Sequence, residues 1–303
     1  MGKLLITGAH GFVASRLLDA LKMKGVSNDR VILLTSKPIH GYTCVDYSSQ
    51  KLLSSALDGN DLDCVVHLGA FTPKGICDDR IVNYIKNIES TSFLIEALAQ
   101  PPKKFIFSSS ISVYAPSNGE MITEDSLVGT DDPYGMSKLF CEKMLKEWAS
   151  AFNVDLCILR LGAVYGPGEE NYRKITGTFI ERALNGEPIM IRSSNGSERR
   201  NLVYIDDVVE CIVESMLNKD IDINGIVNIV GDCEISVNNL AEMIIDISRS
   251  SSIIVYEGGM PSRDDCFASC RMNELYGDVV KRTGYDEGVR KLVQYYKTKV
   301  HNK

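Results

Sequence analysis

Apolar residues along the chain fall into short runs that alternate with longer segments of helical periodicity. Through residue 166 the runs predict strands at 3–8, 30–36, 42–48, 62–70 and 154–166, and a strand that opens into a loop within 103–115. The periodic segments between them predict helices at 12–25, 50–59, 80–100 and 134–152. Because strands that lack polar alternation are buried on both faces, this rhythm predicts a parallel sheet covered by helices on both sides.

The rhythm changes after Gly166, where loops lengthen and short strands are interleaved with helices. The pattern there predicts strands at 187–192 and 253–259, and helices at 175–185, 206–218 and 236–249. The segments 201–207 and 225–231 are expected to return to the main sheet. We therefore predict an α/β chain in which residues 1–166, joined by 201–231, form a doubly wound parallel sheet. Residues 167–200 and 232–303 are expected to form a smaller, interleaved C-terminal lobe that binds substrate.

Composition narrows the class of protein. The chain of 303 residues is 44% hydrophobic and 24% charged, as in soluble globular proteins. Its net charge of −7 argues against a general nucleic-acid-binding surface. The first apolar run is too short for a signal-peptide core, and no apolar segment of about 18 residues occurs, so we expect a cytoplasmic protein without a membrane partner. The nine cysteines are scattered without a C-x-x-C pair, which predicts reduced thiols and no metal site.

A glycine-bearing loop, ITGAHGFVAS at 6–15, joins the first strand to the first helix. Gly8 permits a tight turn, Gly11 lets the backbone approach a pyrophosphate, and Ala14 is small enough for helix–strand packing. An ordinary strand-to-helix turn has the same pattern, but the position at the first strand favours phosphate binding by a Rossmann-type fold. The loop residues expected at the cofactor are Gly8, His10, Gly11, Phe12 and Val13.

The end of the second strand, where dinucleotide-binding folds select NAD or NADP, reads Thr35-Ser36-Lys37 and has no carboxylate. A carboxylate would bind the ribose 2′-hydroxyl of NAD and repel a 2′-phosphate. Two hydroxyls and a cation suit a phosphate better, so NADP is favoured and NAD is the alternative. Asp46 and Tyr47 follow the third strand, where a carboxylate would bind the adenine amino group. The structural alternatives are that Lys37 is a solvated loop charge and Asp46 a turn cap.

A tyrosine and a lysine four residues apart, Tyr134 and Lys138 in YGMSK, lie on one face at the start of a helix. A free phenol titrates near pH ~10, and lowering its pKa by about three units takes roughly 4 kcal/mol, part of which an adjacent ammonium supplies. Ser108, Ser109 and Ser110 end a strand upstream, at the sheet edge where open α/β sheets bind ligands. Together these residue types suit proton transfer at an alcohol or ketone oxygen while hydride moves to or from carbon.

The glycine loop, the serine-ended strand and YGMSK occur in the order found in the extended short-chain dehydrogenase/reductase family. The chain resembles the nucleotide-sugar epimerases, dehydratases and ketoreductases of that family. The resemblance spans nearly the whole chain, since a family motif is matched by each of ITGAHGF, CVVHLGA, NIESTSFLIEA, FIFSSSISVYA, DPYGMSK, LRLGAVYGPG and RRNLVYIDDVV. It implies a Rossmann-type fold, a nicotinamide cofactor and a nucleotide-sugar substrate.

The resemblance implies roles for particular residues. Tyr134 is the acid/base, Lys138 binds the nicotinamide ribose and lowers the tyrosine pKa, and Ser110 orients the sugar oxygen. Further residues fall at cofactor-binding positions, namely Leu68, Gly69, Ala70 and Asn87.

Positions expected to bind the substrate depart from the family pattern. Arg200 matches the arginine that meets the nucleotide diphosphate. Ala163, however, stands where many family members have an asparagine, and Met260 where an arginine is often found. Arg263 is a possible substitute three residues later. The substrate contacts are therefore less predictable than the cofactor contacts.

The two residues that follow Ser110 reduce the number of family reactions that the chain is expected to catalyse. Dehydratases of the family need an extra acid/base pair, and Ile111 and Ser112 occupy those positions, so dehydration is disfavoured. A C3/C5 epimerase–reductase would need an additional Cys/His pair and is disfavoured too. Reduction of a nucleotide-linked 4-keto-6-deoxy sugar by NADPH is favoured by the absence of an acid at 35–37, and 4-epimerisation with tightly bound NAD is the alternative. Reduction of a non-sugar ketone also stays open, whereas the intact Ser110, Tyr134 and Lys138 argue against a non-catalytic cofactor-sensing protein.

Two helices, 80–100 and 134–152, carry apolar residues on more than one face, Phe140 and Trp148 among them. Family members often dimerise through these helices, which implies a homodimer, and burial against the sheet is the alternative. Two histidines, His10 and His67, are expected to have loop or packing roles and not catalytic ones.

Overall fold

The computed structural model describes residues 2–45, 50–72, 80–116, 120–172, 174–221, 223–260, 264 and 266–300. Its strands are β1 (Lys3–Thr7), β2 (Val31–Leu34), β3 (Thr43–Val45), β4 (Leu62–His67), β5 (Lys104–Ser110), β6 (Asp155–Leu161), β7 (Ala163–Tyr165), β8 (Ile189–Ser193), β9 (Arg199–Arg200), β10 (Leu202–Tyr204), β11 (Gly225–Ile229), β12 (Ile235–Ser236) and β13 (Ile254–Gly259). Its helices are α1 (Phe12–Met23), α2 (Gln50–Leu57), α3 (Ile81–Ala97), α4 (Pro133–Phe152), α5 (Ile175–Leu184), α6 (Ile205–Leu217), α7 (Val237–Ser248), α8 (Cys270–Tyr276) and α9 (Tyr285–Val300).

Seven strands form one parallel sheet in the order β3–β2–β1–β4–β5–β6–β11. The chain builds outward from β1 to β3 and then crosses back to β4, on the other side of β1. Ile6 of β1 is therefore flanked by Leu33 on one side and by Val66 on the other. This order confirms the expected doubly wound α/β fold, and its reversal opens a crevice at the carboxyl ends of β1 and β4.

The two faces of the large sheet bury separate apolar layers, because successive side chains of a strand point to opposite faces. Leu5, Val65 and Phe105 pack in a layer with residues of α2, α3 and α4. Leu4 and Val66 belong to the opposite layer, which includes residues of α1 and α6. This double cover is the physical reason that the central strands are apolar at nearly every position.

Two predicted strands end earlier than their apolar runs. The strand within 103–115 ends at Ser110 and then leaves the extended conformation, as predicted, because the Ser110 side chain accepts a hydrogen bond from the Ser112 N–H and caps a 3-10 turn. The strand predicted over 154–166 divides at Gly162, whose N–H donates to the Ile229 carbonyl at 2.8 Å. β7 then leaves the sheet and pairs with β10.

The C-terminal segments return to the large sheet only in part. β11 lies beside β6, as expected for 225–231. The prediction that the strand within 201–207 joins the large sheet is wrong, because β10 pairs with β7 in a separate two-stranded sheet. The C-terminal region also contains the strand pairs β8–β13 and β9–β12 and the mutually packed helices α5, α7 and α9. Helices α8 and α9 had no counterpart among the predicted elements, and the division of the chain into two units stays a prediction.

Candidate active site

A cavity of about 980 Å³ lies at the crevice formed by the carboxyl ends of the strands. Its walls come from the segments after β1, β2 and β4, the ends of β5 and β6, and helices α3 and α4. The predicted site residues that line it are Gly8, His10, Gly11, Phe12, Val13, Thr35, Ser36, Leu68, Gly69, Ala70, Asn87, Ser110, Tyr134, Lys138 and Ala163. Residues more than a hundred positions apart in the sequence therefore share one chamber.

The loop between β1 and α1 has the backbone geometry that a phosphate cradle needs. Gly8 has a φ of 72°, and a Cβ there would lie 2.7 Å from the Gly69 Cα. Gly11 donates its N–H to the Gly8 carbonyl at 2.7 Å and begins α1 without a side-chain cap. Ala14 is buried, so the helix packs closely behind the loop. An uncapped helix N-terminus with a close glycine turn fits the pyrophosphate of a dinucleotide.

A buried histidine joins the glycine loop to β4 and α3. His67 Nδ1 lies 2.7 Å from Thr7 Oγ1, and His67 Nε2 lies 3.0 Å from Thr91 Oγ1. Thr91 donates its proton to the Asn87 carbonyl, so its oxygen accepts from Nε2–H, which fixes the tautomer. Thr7 Oγ1 in turn accepts the Gly69 N–H at 2.8 Å and donates to Nδ1. Burial, aided by the charge of nearby Lys138, lowers the pKa of His67 to about 3. The ring is therefore neutral and links Thr7 to Thr91 by hydrogen bonds.

Asn87 is buried on α3, and protein groups take both N–H donors and one acceptor site of its side-chain amide. Its Oδ1 accepts the Phe71 N–H at 2.6 Å, while its Nδ2 donates to the Phe71 carbonyl and to Ser137 Oγ, each at 3.2 Å. The Ser137 hydroxyl donates to the Tyr134 carbonyl at 2.7 Å. Asn87 therefore ties the segment after β4 to the first turn of α4. Its contact with a cofactor stays a prediction.

Tyr134 and Lys138 form a phenol–ammonium pair in the cavity wall. The Lys138 Nζ lies 6.0 Å from the Tyr134 ring centroid and donates to the Ser108 carbonyl at 2.7 Å. Burial lowers the pKa of Lys138 to about 8. Burial raises the pKa of Tyr134 to about 12, although a hydrogen bond with the Thr72 side chain opposes this shift. At neutral pH the Tyr134 phenol is therefore protonated. The Lys138 amine is mostly charged, and its pKa lies close to neutral pH.

The three serines that end β5 have different partners. Ser108 Oγ donates to the His67 carbonyl at 3.1 Å, and Ser109 Oγ donates to a Glu142 carboxylate oxygen at 2.5 Å. Ser110 Oγ accepts a backbone N–H of the following turn at 3.1 Å. In the part of the chain that the structure describes, no protein acceptor takes the Ser110 hydroxyl proton. Ser110 is therefore the serine whose hydroxyl proton is available to a ligand.

The first turn of α4 holds Tyr134 against the end of β5. The Asp132 side chain caps the helix by accepting from the Gly135 N–H at 2.9 Å and from the Tyr134 N–H at 3.4 Å. At Gly135 a Cβ would lie 2.2 Å from the Ser112 carbonyl oxygen. The absence of a side chain at Gly135 thus lets α4 approach the turn that follows Ser110.

The segment after β2 is held mainly through its backbone. The Lys37 carbonyl accepts from Thr35 Oγ1 at 2.9 Å and from His10 Nε2 at 2.8 Å. The Lys37 side chain is exposed and is not part of the cavity lining. The structure therefore does not bring Lys37, a predicted cofactor-binding residue, to the site. Thr35 and Ser36 line the cavity, but the Thr35 hydroxyl is already used within the loop.

A second predicted site residue, Arg200, is not brought to the cavity lining. Arg200 lies on β9 outside the lining, and its guanidinium donates to the Arg199 carbonyl at 2.8 Å. Asp46, Tyr47 and Arg263 lie outside the described residues. Their contacts with cofactor or substrate remain predictions.

The lining includes residues to which the sequence patterns assigned no role. Ser90 lies on α3 one turn after Asn87, and this i, i+3 spacing is a signal that would have found it. Lys86 directly precedes Asn87, so helical spacing gave no signal for it. Tyr172 and Lys174 follow β7 in a segment without periodicity, so no sequence pattern pointed to them.

The described residues offer neither a metal centre nor a membrane span. They contain no group of three His, Cys, Asp or Glu side chains placed to hold a metal ion. No helix among them has the length and apolarity required to cross a membrane.

Comparison with known proteins gives one family and a consistent set of relatives. The model of the NAD dependent epimerase/dehydratase family matches residues 4–230. The dTDP-D-glucose 4,6-dehydratase of Dictyostelium discoideum is 29% identical over 274 residues, covering 81% of this chain. The UDP-N-acetyl-alpha-D-glucosaminuronate decarboxylase of Bacillus cytotoxicus is 27% identical over 272 residues, covering 83% of this chain and 82% of its own length. These relatives are enzymes that act on nucleotide sugars.

Solved structures share the fold over almost the whole chain. UDP-glucuronic acid 4-epimerase from Bacillus cereus, solved with NAD, is similar with a TM-score of 0.80 and 25% identity, covering 99% of this chain and 98% of that one. UDP-glucose 4-epimerase of Thermotoga maritima superposes with a TM-score of 0.85 at 24% identity, covering 98% of this chain and 99% of that one. By contrast, the chain spans 62% of the Dictyostelium dehydratase and 47% of a trifunctional dehydratase, epimerase and reductase of Arabidopsis thaliana.

Proposed function

The chain belongs to the NAD-dependent epimerase/dehydratase family, and we propose that it transfers hydride between a nicotinamide dinucleotide and C4 of a nucleotide-linked sugar. One observation carries this proposal: Ser110, Tyr134 and Lys138 line the same cavity as the glycine loop. A dinucleotide on that loop and a sugar oxygen beside Tyr134 would therefore share one chamber.

The residues present fit a nicotinamide dinucleotide. The close turn at Gly8 and the uncapped start of α1 at Gly11 suit its pyrophosphate, and Gly69 leaves room opposite the turn. Ser36 lines the cavity at the end of β2, where the adenosine ribose binds in dinucleotide folds. When bound, the nicotinamide supplies or accepts the hydride. NAD is supported by the Bacillus cereus structure, and NADP by the lack of a carboxylate after β2.

The charge of the cavity supports an anionic second ligand. The described residues that line the cavity include three lysines, Lys86, Lys138 and Lys174, and one carboxylate, that of Glu89. The lining is therefore positively charged, although the net charge of the whole chain is −7. A cationic chamber in an acidic protein suits the diphosphates of a cofactor and of a nucleotide sugar. The relatives that act on dTDP- and UDP-linked sugars support the same substrate class.

Proton transfer falls to Tyr134. Its phenol is protonated in the free protein and donates its proton to a sugar oxygen as a ketone is reduced. In the direction of alcohol oxidation the phenolate form of Tyr134 is the base, and it takes the hydroxyl proton as hydride leaves the carbon. The Lys138 ammonium stabilises the phenolate that results, and the Ser110 hydroxyl donates a hydrogen bond to the same sugar oxygen. The hydrogen bonds from Asn87 to Ser137 and from Ser137 to the Tyr134 carbonyl hold the helical turn that carries Tyr134.

Elimination of water from the sugar is the reaction that the site supports least. It requires a base at C5 and an acid for the leaving hydroxyl. The residues that follow Ser110 are Ile111 and Ser112, and neither lines the cavity. The lone carboxylate in the described lining, Glu89, is exposed on α3. The described lining therefore offers no acid/base pair beside Ser110 for dehydration.

Two reactions remain, and each has a specific observation in its favour. Epimerisation at C4 returns the hydride to the sugar from which it came, and the NAD-bound 4-epimerase structure supports it. Reduction of a 4-keto-6-deoxy sugar consumes the reduced cofactor, and the absence of an acid in Thr35-Ser36-Lys37 supports it.

A substrate panel separates the two reactions. The protein is mixed with NADH or NADPH and a set of dTDP- and UDP-linked 4-keto-6-deoxy sugars, and loss of reduced-nicotinamide absorbance is followed. In parallel, UDP-glucose, UDP-glucuronic acid and their C4 epimers are incubated with NAD and separated by chromatography. Consumption of reduced cofactor supports the reductase, and interconversion without net consumption supports the epimerase. If no member of the panel gives either of these two results, the proposed function is contradicted.

Assembly and location also belong to this proposal. We propose a homodimer that pairs α3 and α4 with their copies, because these helices expose Ile81, Val82, Ile85, Met136 and Phe140. A cytoplasmic location and a C-terminal substrate lobe, made of 167–200 and 232–303, complete the proposal.

A further inference from the structure

A path of hydrogen bonds starts at the glycine loop and reaches α3 through the ring of His67. The Gly69 N–H donates to Thr7 Oγ1 at 2.8 Å, and Thr7 is the last residue of β1, where the glycine loop begins. Thr7 Oγ1 lies 2.7 Å from His67 Nδ1, and His67 Nε2 lies 3.0 Å from Thr91 Oγ1. The Thr91 hydroxyl donates to the Asn87 carbonyl at 2.7 Å. Side chains therefore tie β1, β4 and α3 together beneath the cavity.

The path continues from α3 to the first turn of α4. The Asn87 side-chain amide donates to Ser137 Oγ at 3.2 Å, and the Ser137 hydroxyl donates to the Tyr134 carbonyl at 2.7 Å. Asn87 and Ser137 are each 3% exposed, so water does not compete for these bonds. The glycine loop and the turn that carries the proposed acid/base are thus joined without a break.

A second branch leaves the backbone of His67 towards the lysine of the phenol–ammonium pair. The His67 carbonyl accepts from Ser108 Oγ at 3.1 Å, and the Ser108 carbonyl accepts from Lys138 Nζ at 2.7 Å. Phe107 packs between them, with its ring centroid 5.6 Å from that of His67 and 4.7 Å from Lys138 Nζ. His67 is therefore connected to the segments that hold both members of the pair.

The donors between β1 and α3 all point in one direction. Thr91 uses its hydroxyl proton on a backbone carbonyl, so its oxygen accepts from His67 Nε2–H. Nδ1 then carries no proton and accepts from the Thr7 hydroxyl. Hydrogen bonds aligned in this way polarise one another in a low-dielectric interior, and a buried donor without a partner is costly. The loss of one member should therefore be felt along the whole path.

We propose that His67 is a positioning residue for hydride transfer, which together with Thr91 fixes the glycine loop and the Tyr134 turn relative to each other. The inference rests on the proposed function for the reaction that it serves. His67 moves no proton in this role, because each end of the path is a backbone group. A misplacement of reacting groups by about 1 Å costs about 100-fold in rate, so a device that holds both sides of the cavity in register acts on the chemical step.

The first test determines the tautomer of His67 and needs no substrate. The chain has four histidines, so nitrogen spectra of protein labelled in histidine are simple, and His67 is the ring that stays neutral between about pH 5 and about pH 8. In the wild type the proton should lie on Nε2. In Thr91→Val that proton would lose its acceptor, so it should move to Nδ1 and donate to Thr7. Thr91→Ser keeps the hydroxyl and should keep the wild-type tautomer.

The second test separates the chemical step from binding. Single-turnover hydride transfer is followed with the nucleotide sugar of the panel that the wild type converts. Thr91→Val should slow it by about 10- to 100-fold, while KM for the sugar and the calorimetric affinities for NAD and NADP stay within about threefold. Thr91→Ser should restore the rate. Ser137→Ala, which breaks the path beyond Asn87, should slow hydride transfer by a similar factor and leave the His67 tautomer unchanged.

Ser215→Ala is the matched control. Ser215 is buried on α6, and like Thr91 it donates to the carbonyl one turn earlier, that of Cys211, at 2.6 Å. It also bonds a second side chain, the Tyr276 hydroxyl, at 2.7 Å, and it lies outside the cavity lining. Both variants should lower the midpoint of urea denaturation, but Ser215→Ala should leave hydride transfer within about twofold of the wild-type rate.

Each outcome decides for or against the role of His67. A changed tautomer with slowed hydride transfer, both restored in Thr91→Ser, supports the inference. An unchanged rate in Thr91→Val, or an equal loss of rate in Ser215→Ala, shows a purely structural role and overturns it. Weaker cofactor binding at an unchanged single-turnover rate overturns it too, as does a wild-type ring protonated on Nδ1.

Two further outcomes keep the inference distinct from the proposed function. If Thr91→Val does not fold, the rate of Ser137→Ala decides in its place, and a wild-type rate there overturns the inference. A wild-type protein that converts no sugar of the panel contradicts the proposed function itself, and the role of His67 in hydride transfer falls with it.

Discussion

At the scale of single residues, the central feature is the pairing of Tyr134 with Lys138 and the open hydroxyl of Ser110. The local spacing of YGMSK predicted Tyr134 and Lys138, and the serines at the end of β5 predicted a nearby hydroxyl, whereas the choice of Ser110 came from the family resemblance. The environment of Lys138 was not predictable, since its burial and its bond to the Ser108 carbonyl depend on how α4 packs on β5. Likewise, no local pattern reveals that the Asn87 amide bonds to Phe71 and Ser137.

Replacing Tyr134 with Phe should abolish turnover and leave cofactor affinity within about threefold, since the ring keeps its packing and loses only the proton. Stopped-flow absorbance gives the turnover, and titration calorimetry gives the affinity. Tyr84→Phe is the matched control, because its ring lies 6.1 Å from that of Tyr134 but outside the cavity lining. Substantial activity in Tyr134→Phe would remove the assigned acid/base.

The pH dependence of kcat/KM should show an alkaline limb that belongs to Lys138. The folded pKa of Lys138 is about 8, so the ammonium is present below that pH and lost as pH rises through it. Tyr134, with a pKa of about 12, stays protonated over the same range and does not produce the limb. The rate should therefore fall above about pH 8.

A control is needed because Lys174 titrates in the same range. The limb should persist in Lys174→Arg, which does not titrate, and disappear from the residual activity of Lys138→Met. A profile that stays flat to about pH 10 in the wild type would contradict the assignment.

At the scale of elements, α4 is registered against the sheet by a buried ion pair. Arg160 of β6 donates to both Glu142 carboxylate oxygens, at 2.9 and 2.7 Å, and Ser109 donates to one of them. Glu142 lies one turn beyond Lys138, so this contact positions the helix that carries Tyr134 and Lys138. Sequence periodicity located α4 to within one residue at its start, but it did not identify Glu142 as a buried group.

Glu142→Gln should lower the free energy of unfolding by about 3 kcal/mol, because it leaves the Arg160 charge buried without a counter-ion. Urea denaturation measures the change. The exposed pair of Asp286 and Arg290 on α9 serves as a control, since Asp286→Asn should leave the midpoint unchanged. An unchanged midpoint in Glu142→Gln would show that the buried pair does not hold α4.

The sequence was least informative where strands leave the sheet. The apolar run over 154–166 contains both β6 and β7, and only the bond from Gly162 to Ile229 divides it. The partner of that bond lies about seventy positions further along, so no window of local sequence contains it. Lys174 is missed for the same reason, because its contacts with Phe12 and Val164 join distant segments.

At the scale of the whole molecule, the two layers of the sheet have unequal outer surfaces. The layer of α3 and α4 exposes a set of apolar side chains, with Ile81 70% and Phe140 55% exposed. Surfaces of this kind usually meet a partner in soluble proteins. The doubly wound order of the sheet was predictable from strand–helix alternation. A contact between two chains was implied by the family resemblance, since apolar residues on more than one face of α3 and α4 are equally consistent with burial against the sheet.

Phe140→Asp should convert a dimer into a monomer, since it places a charge in the apolar patch of α3 and α4. Light scattering after size-exclusion chromatography gives the mass. Met23→Asp is the control, because Met23 is 83% exposed on α1, in the opposite layer. A wild-type protein that elutes as a monomer of 33.5 kDa at all concentrations would contradict the proposed dimer.

The proposed activity depends on hydride transfer between the cofactor and a nucleotide sugar. The most direct measurement uses a nucleotide sugar deuterated at C4, or reduced cofactor deuterated at the nicotinamide with a 4-keto sugar, and locates the label by mass spectrometry. We predict that wild-type protein moves deuterium between nicotinamide and sugar carbon, and that Tyr134→Phe binds both ligands without moving it. In wild-type protein with both ligands bound, deuterium that is absent from the second molecule in samples quenched during the first turnover, before an epimerase has returned it, would contradict hydride transfer at this site.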